Sequence, residues 1–140
     1  MSSDYLLDTH TWLWFIEGTR SKVSARCISA IHRACLHDGV LVSALSVWEL
    51  ANLEARGRVK LGRGCREWVR NALGQPGVRL AELTPEIAID GAGLKGLATG
   101  DPVDRLLIAT ARHYGATLVT RDERILDYGA AGHVRVMDAG

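Results

Sequence analysis

The 140 residues include three cysteines, one phenylalanine, no surplus of either charge and no long uninterrupted apolar run. Cys27, Cys35 and Cys65 are odd in number, and no two have Cys-x-x-Cys spacing. This argues against a disulfide framework and a thiolate zinc site, and points to a reducing cytoplasm. The three read as buried or half-buried free thiols. His10, His32, His37, His113 and His133 are scattered, with no His-x-His or His-Glu-x-x-His pattern, so a histidine metal centre has little support. Seventeen Lys and Arg stand against sixteen Asp and Glu, so global charge argues neither for nor against nucleic acid. The apolar stretch Tyr5 to Ile16 is broken by Asp8 and His10 and is too short for a membrane span. It also lacks the basic leader and cleavage site of a secretory signal. No membrane association is expected.

What is present suits a folded domain. The chain is 47% hydrophobic, which excludes disorder, and its length predicts one domain over 1–140. No repeat, low-complexity run or long linker interrupts it. Tyr5–Leu7, Val40–Ser43, Leu118–Thr120 and Val134–Met137 read as short buried strands, with Val78–Leu83 a further candidate before Pro85. Val23–His37, Val47–Arg56, a shorter stretch around Trp68 to Ala72, and Val103–His113 carry helical apolar spacing. Alternating strands and helices with continuously apolar strands predict an α/β fold whose parallel sheet is covered on both faces. The functional crevice of such a sheet lies beyond the carboxyl ends of its strands.

Acidic residues cluster at that predicted edge. Asp8 follows the first strand. Glu49 follows the second, in Ser46-Val47-Trp48-Glu49. Asp101 and Asp104 open the long helix, in Asp101-Pro102-Val103-Asp104. Asp122 follows Leu118–Thr120. Crowded carboxylates raise one another's pKa, and a site that gathers three or four normally holds a cation. All-oxygen ligation favours Mg²⁺ or Mn²⁺ over zinc, ions that activate water and steady a phosphodiester oxygen. Each acid also has a structural reading. Ser46-x-x-Glu49 fits a capping box. Asp101 before Pro102 fits an N-cap followed by proline at the first helical position, and Asp104 then suits the helix dipole. Asp122 can cap the helix running toward Tyr128. Asp8 closes a strand and has no cap to fill unless a helix opens at Thr9. The functional reading rests on the coincidence of all four positions.

The order and spacing of Leu6-Leu7-Asp8-Thr9-His10, Val42 to Leu50, Gly100 to Ala111 and Leu118-Val119-Thr120-Arg121-Asp122 resemble PIN domains across essentially the whole chain. The similarity is greatest to the toxin ribonucleases of bacterial VapBC toxin–antitoxin pairs, in the branch with the Asp-Pro-x-Asp-Arg signature. The resemblance implies a three-layer α/β/α sandwich and Mg²⁺- or Mn²⁺-dependent cleavage of RNA. It implies metal-ligand and catalytic roles for Asp8, Glu49 and Asp104, with Asp122 the fourth acidic position. It also implies a cognate VapB-like antitoxin and a homodimer as partners. Asp101 is the extra acid of this branch. Thr9, Ser46 and Thr120 are candidate hydroxyls for orienting carboxylates or water. The chain departs from many relatives in having Ala98-Thr99-Gly100, without histidine, ahead of Asp101; His10 is a candidate substitute.

Arg56, Arg58, Lys60, Arg63, Arg66 and Arg70 fall within fifteen residues that hold one acid, Glu67. The cluster is a candidate RNA-phosphate contact. A solvated face, an acidic antitoxin tail or a second subunit accounts for it as well. Trp12, Trp14 and Trp48 lie beside the acidic motifs, where core packing or an interface competes with base stacking. Val23–His37 and Ile87–Leu97 are candidate walls of an antitoxin groove. Three rival readings compete. A haloacid dehalogenase-like phosphatase needs an Asp two places after Asp8, where His10 stands. A receiver domain needs a late lysine, whereas the lysines are Lys22, Lys60 and Lys95. The third is a PIN-fold interaction or RNA-binding module without toxin role, and the four filled acidic positions do not suggest lost catalysis.

Overall fold

The computed structural model describes residues 4–97 and 100–140. Ala98 and Thr99, which carry part of the departure noted before Asp101, lie outside the described residues. The chain runs β1 (Tyr5–Leu7), α1 (Thr9–Glu17), α2 (Ala25–Cys35), β2 (Val40–Ser43), α3 (Ala44–Ala55), α4 (Cys65–Leu73) and β3 (Val78–Ala81). It continues through α5 (Pro85–Ala92), α6 (Pro102–Tyr114), β4 (Thr117–Thr120), α7 (Glu123–Ala130) and β5 (Val136–Asp138). Among the described residues the strands form one sheet in the order β3-β2-β1-β4-β5. All four pairings are parallel.

Side-chain alternation along the strands builds the layers. Leu6, Leu41 and Leu118 point to one face, where they join Val103, Leu107, Ile108, Ile125 and Tyr128 of α6 and α7. Leu7, Val40, Val42 and Val119 point to the other, where they meet Trp12, Ile31, Leu50 and Trp68 of α1 to α4. The result is the three-layer α/β/α arrangement. Each of these fully buried leucine or valine side chains contributes about 1.5–3 kcal/mol through transfer from water, so the seven positions dominate the sheet's stability. The chain travels from β1 through β2 to β3, then crosses back to place β4 on the other side of β1. That reversal makes the carboxyl end of β1 and β4 the switch point of the sheet.

Several boundaries differ from the sequence reading. The first apolar run is a three-residue strand followed at once by α1, so Asp8 does have a cap to fill: its side chain accepts from Thr9 N. No turn separates β2 from α3. Ser43 is the N-cap and accepts from Leu45 N, so the capping-box reading of Ser46 and Glu49 is overturned. Both residues sit inside the helix, and Ser46 is fully buried. The Val134–Met137 strand is shifted to Val136–Asp138, and the Val23–His37 helix is trimmed to Ala25–Cys35 behind its Ser24 cap. The helix α5 begins at Pro85, capped by Thr84.

Arg105 ties α5 to α6. Its guanidinium donates to the carbonyls of Gly91 at 3.0 Å, Ala92 at 3.3 Å and Leu94 at 2.7 Å. The first two are carbonyls at the end of α5, which the helix itself leaves without donors; Leu94 lies just beyond it.

The tightest backbone approach is at Gly77, just before β3. Its φ is +86°, and a Cβ there would lie 2.1 Å from the Cys35 carbonyl oxygen. Gly77→Ala is therefore expected to cost about 2 kcal/mol or more from strain and overlap together. Gly57→Ala, at φ +72° with nothing within 4 Å of the added atom, should cost about 1 kcal/mol from backbone strain alone. Urea unfolding midpoints of the two variants check the difference.

Candidate active site

Asp8 leaves the end of β1 and turns into α1. One carboxylate oxygen, Oδ1, accepts from Thr9 N at 2.7 Å; the other, Oδ2, accepts from Thr120 Oγ1 at 2.7 Å. The same Thr120 hydroxyl oxygen accepts from Asp122 N at 3.0 Å. One hydroxyl thus joins the ends of β1 and β4 and fixes the start of the Asp122 turn. On the other flank, the buried Thr9 and Ser46 hydroxyls bond each other at 3.0 Å, and Thr9 also holds the Glu49 carboxylate. The three candidate orienting hydroxyls therefore bond carboxylates directly, in the case of Thr9 and Thr120, or through Thr9, in the case of Ser46.

Asp101 and Asp104 divide their tasks. Asp101 has extended backbone ahead of Pro102, and its Oδ1 accepts from Val103 N at 2.8 Å and Asp104 N at 3.3 Å. It caps α6. Asp104, in the first turn of that helix, lines the same cleft. Asp122 caps α7 by accepting from Arg124 N at 2.9 Å and Ile125 N at 3.3 Å. Asp8, Glu49, Asp101, Asp104 and Asp122 share a cleft of about 440 Å³ with His10, Thr11, Trp14, Arg121 and Arg124. A larger cavity of about 770 Å³ lies where β4 and β5 begin, and its lining holds no carboxylate. The clustered carboxylates therefore belong to the smaller cleft.

Arg121 and Arg124 were not singled out from sequence. The signal was their place on either side of Asp122, immediately after a predicted strand. Arg56, Arg58, Lys60 and Arg63 are exposed on the α3–α4 connection, and none is among the residues lining the cleft. Of the three tryptophans beside the motifs, Trp12 is buried in the core and Trp48 is 60% exposed. Trp14 is the one at the cleft.

Burial is the first cause of every resolved carboxyl shift here. Asp8 is raised by burial, against the hydrogen bonds from Thr120 and Thr9 and the pull of His10, with Asp122 adding a small repulsion. Glu49 is raised by burial, and the Thr9 bond opposes this. Asp104 is pushed up to about 7 by burial first, then by the charges of Asp101, Asp8, Asp122 and Glu49. Mutual repulsion, expected from sequence as the leading cause, is secondary because the walls exclude water. The N-termini of α1, α6 and α7 meet at this edge and supply only partial positive charge.

By donor chemistry the set fits a hard divalent cation, with oxygen ligands and excess negative charge. Among the described residues, however, no three such side chains stand close enough to enclose an ion as they are.

Residues 5–131 match the family model described as "PIN domain". Over 120 residues the chain is 34% identical to "Ribonuclease VapC22" of Mycobacterium tuberculosis (strain ATCC 25618 / H37Rv), spanning 86% of this chain and 88% of that protein. A crystal structure of FitAcB from Neisseria gonorrhoeae superposes with a TM-score of 0.65 at 23% identity, covering 96% of this chain and 97% of that one. DNA-bound VapBC from Salmonella typhimurium gives 0.65 at 17% identity, with 99% of each chain covered.

The shift at Asp104 has a definite sign. Its pKa in the fold, about 7, exceeds its ordinary value of 3.8. The folded state therefore binds more protons between those values, and stability falls as pH rises through them. In EDTA, Asp104→Asn should be more stable than the wild type by about 1 kcal/mol or more near pH 8, allowing for partial exposure. The difference should vanish near pH 4. Thermal melts of both proteins across that range give the test.

Proposed function

The chain belongs to the PIN-domain family, and from that premise we propose that it is a metal-dependent endoribonuclease, the toxin of a bacterial VapBC-type toxin–antitoxin pair. The observation that carries the reading is the gathering of Asp8, Glu49, Asp104 and Asp122 in one cleft at the switch point of the sheet. The likeness to a protein named as a ribonuclease supports the RNA substrate. The superposition on VapBC supports an antitoxin partner, and we extend it to a second copy of the chain. No helix among the described residues is long and apolar enough to cross a membrane.

In this reading Asp8, Glu49, Asp104 and Asp122 hold Mg²⁺ or Mn²⁺. When bound, such an ion supplies a nucleophilic water at neutral pH and positive charge for the phosphoryl oxygens. The protein's part is positional. Asp8 is locked by Thr9 N and Thr120 Oγ1, and each of its oxygens keeps a lone pair for a further partner. Asp122 is held by the amides it caps. Glu49 and Asp104 would complete the oxygen set around these two held groups. His10, whose charge draws down both Asp8 and Glu49, offsets part of the site's negative charge. The basic run Arg56, Arg58, Lys60 and Arg63 serves in this reading as a remote phosphate contact outside the cleft.

The test is RNA cleavage by purified variants in Mg²⁺ or Mn²⁺, alongside thermal melts. Asp104→Asn should lose most activity, about a hundredfold or more if charge stabilisation is lost, with its fold intact. Asp101→Asn should keep most activity, because asparagine caps almost as well. Mg²⁺ should raise the melting temperature of the wild type by binding only the folded state, and Asp8→Asn should remove most of that rise. An active Asp104→Asn enzyme, or equal Mg²⁺ stabilisation of wild type and Asp8→Asn, would overturn the reading.

A further inference from the structure

The cleft has a wall that the carboxylate chemistry does not use. Trp14 is half-buried on α1, with its body against the α1–α4 core. The His10 ring lies one turn earlier, 5.5 Å from it and tilted by 43°. Since His10 acts electrostatically on both Asp8 and Glu49, only one ring separates the indole from the acids. Two cations from other segments stand over the indole: Lys22 Nζ at 5.7 Å and Arg121 Cζ at 6.0 Å from its centroid. Arg121 reaches there from the β4–α7 junction, where its Nη1 donates to the Lys22 carbonyl at 3.4 Å.

The cations of the cleft are not equivalent. Arg124 faces Asp122, with Nε 3.8 Å from Oδ1. Arg121 takes part in neither of the described ion pairs. It is an exposed guanidinium on the rim of the carboxylate cleft, turned toward an aromatic face and lying near Gly140. The spacing is informative as well. Cations packed directly on the ring would sit closer than 5.7–6.0 Å. A stacked base occupies about 3.4 Å, so a base reaches the indole face once Arg121 moves outward. An exposed arginine side chain does this by small torsional changes.

We propose that Trp14 and Arg121, assisted by Lys22, form a nucleotide subsite in which a base of single-stranded RNA stacks on the indole while the adjoining phosphate rests on the cations. The proposal rests on the endoribonuclease reading for the identity of the polymer. It assigns Trp14 and Arg121 a positioning role, since a base held there places the next phosphodiester past His10 and over the carboxylates. It also gives a reason for selecting single strands: a base inside a duplex has no free face to offer. Stacking of this kind tolerates every base, so the subsite sets the substrate's form rather than its sequence.

A purely structural role for the same contacts, a cation–π staple between α1 and two loops, makes different predictions. The experiment uses the full chain carrying Asp104→Asn, in EDTA, so that cleavage does not intrude. Binding is followed by fluorescence anisotropy with three labelled probes: a short single-stranded RNA, the same RNA as a duplex, and an abasic ribose-phosphate oligomer of equal charge. Adding Trp14→Ala should weaken single-stranded RNA about tenfold or more and leave the abasic oligomer unchanged, while Trp14→Phe keeps most of the affinity. Adding Arg121→Gln should weaken both single-stranded probes and flatten the dependence of log K on log salt by about 0.7. In the otherwise unaltered enzyme, Arg121→Gln should raise KM and spare kcat.

Equal loss on RNA and abasic oligomer in Trp14→Ala, no loss on either, or duplex bound as tightly as single strand would overturn the subsite. If Trp14→Ala melts prematurely, Trp14→Phe and Arg121→Gln decide by the same criteria. RNA cleavage with no Trp14 effect would leave the nuclease standing and remove the subsite. Base-dependent binding through Trp14 without Mg²⁺- or Mn²⁺-dependent cleavage would do the reverse.

Discussion

A single hydroxyl connects the two halves of this sheet at the point where its chemistry lies. Thr120 Oγ1 donates to Asp8 and accepts from Asp122 N. It therefore holds together the end of β1, the end of β4 and the start of α7. The strands are three and four residues long, so few ladder bonds keep those ends in register. A buried hydrogen bond to a charged acceptor is worth about 1.5–3 kcal/mol, comparable with one of the sheet's buried leucines. Together with the backbone bond from Asp8 N to the Val119 carbonyl at 3.0 Å, this contact sets Asp8 and the Asp122 turn side by side.

The rest of the site follows from keeping negative charge in partial burial. Three helices begin here, and two of their caps, Asp8 and Asp122, are also site acids. Capping and ligation place compatible demands on a carboxylate: one lone pair of an oxygen takes the amide and others stay available. Asp104 has no cap to fill, and it is the acid whose pKa rises to about 7. Asp8 is raised as well, by burial that outweighs its bonds from Thr120 and Thr9, whereas at Asp104 the charges of four neighbouring acids add to burial. A fold that tolerates such a group at neutral pH holds part of its stability in reserve for a cation.

Much of this was legible in the sequence, for identifiable reasons. The strands could be read because each is a short apolar run with polar punctuation. The parallel topology followed from their alternation with helices, and the strand-end rule then pointed to Asp8, Asp104 and Asp122. Asp101 was readable as a cap because Pro102 fixes its neighbour's backbone. Ser46 was misread because serine and glutamate three apart satisfy a local rule that a tertiary contact overrides. Its hydroxyl is needed by Thr9, thirty-seven positions away. The capping role of Asp8 stayed conditional on a helix opening at Thr9, because Thr9 to Glu17 carries no local start signal beyond Asp8 itself; α1 does open there. The cations at the cleft were hidden for another reason. The dense run from Arg56 to Arg70 draws the eye, while Arg121 gains its place only through the sheet order that sets β4 beside β1.

The Arg105 clamp changes what the five-letter signature around it signifies. Asp101 caps, Pro102 starts the helix, Val103 fills the core and Arg105 fastens α6 to the end of α5. Asp104 lines the carboxylate cleft. A chain that had abandoned catalysis would still need four of the five letters to fold this way. The signature is thus in large part a marker of architecture: most of its letters build the joint between α5, α6 and the core, whatever the cleft beside them does.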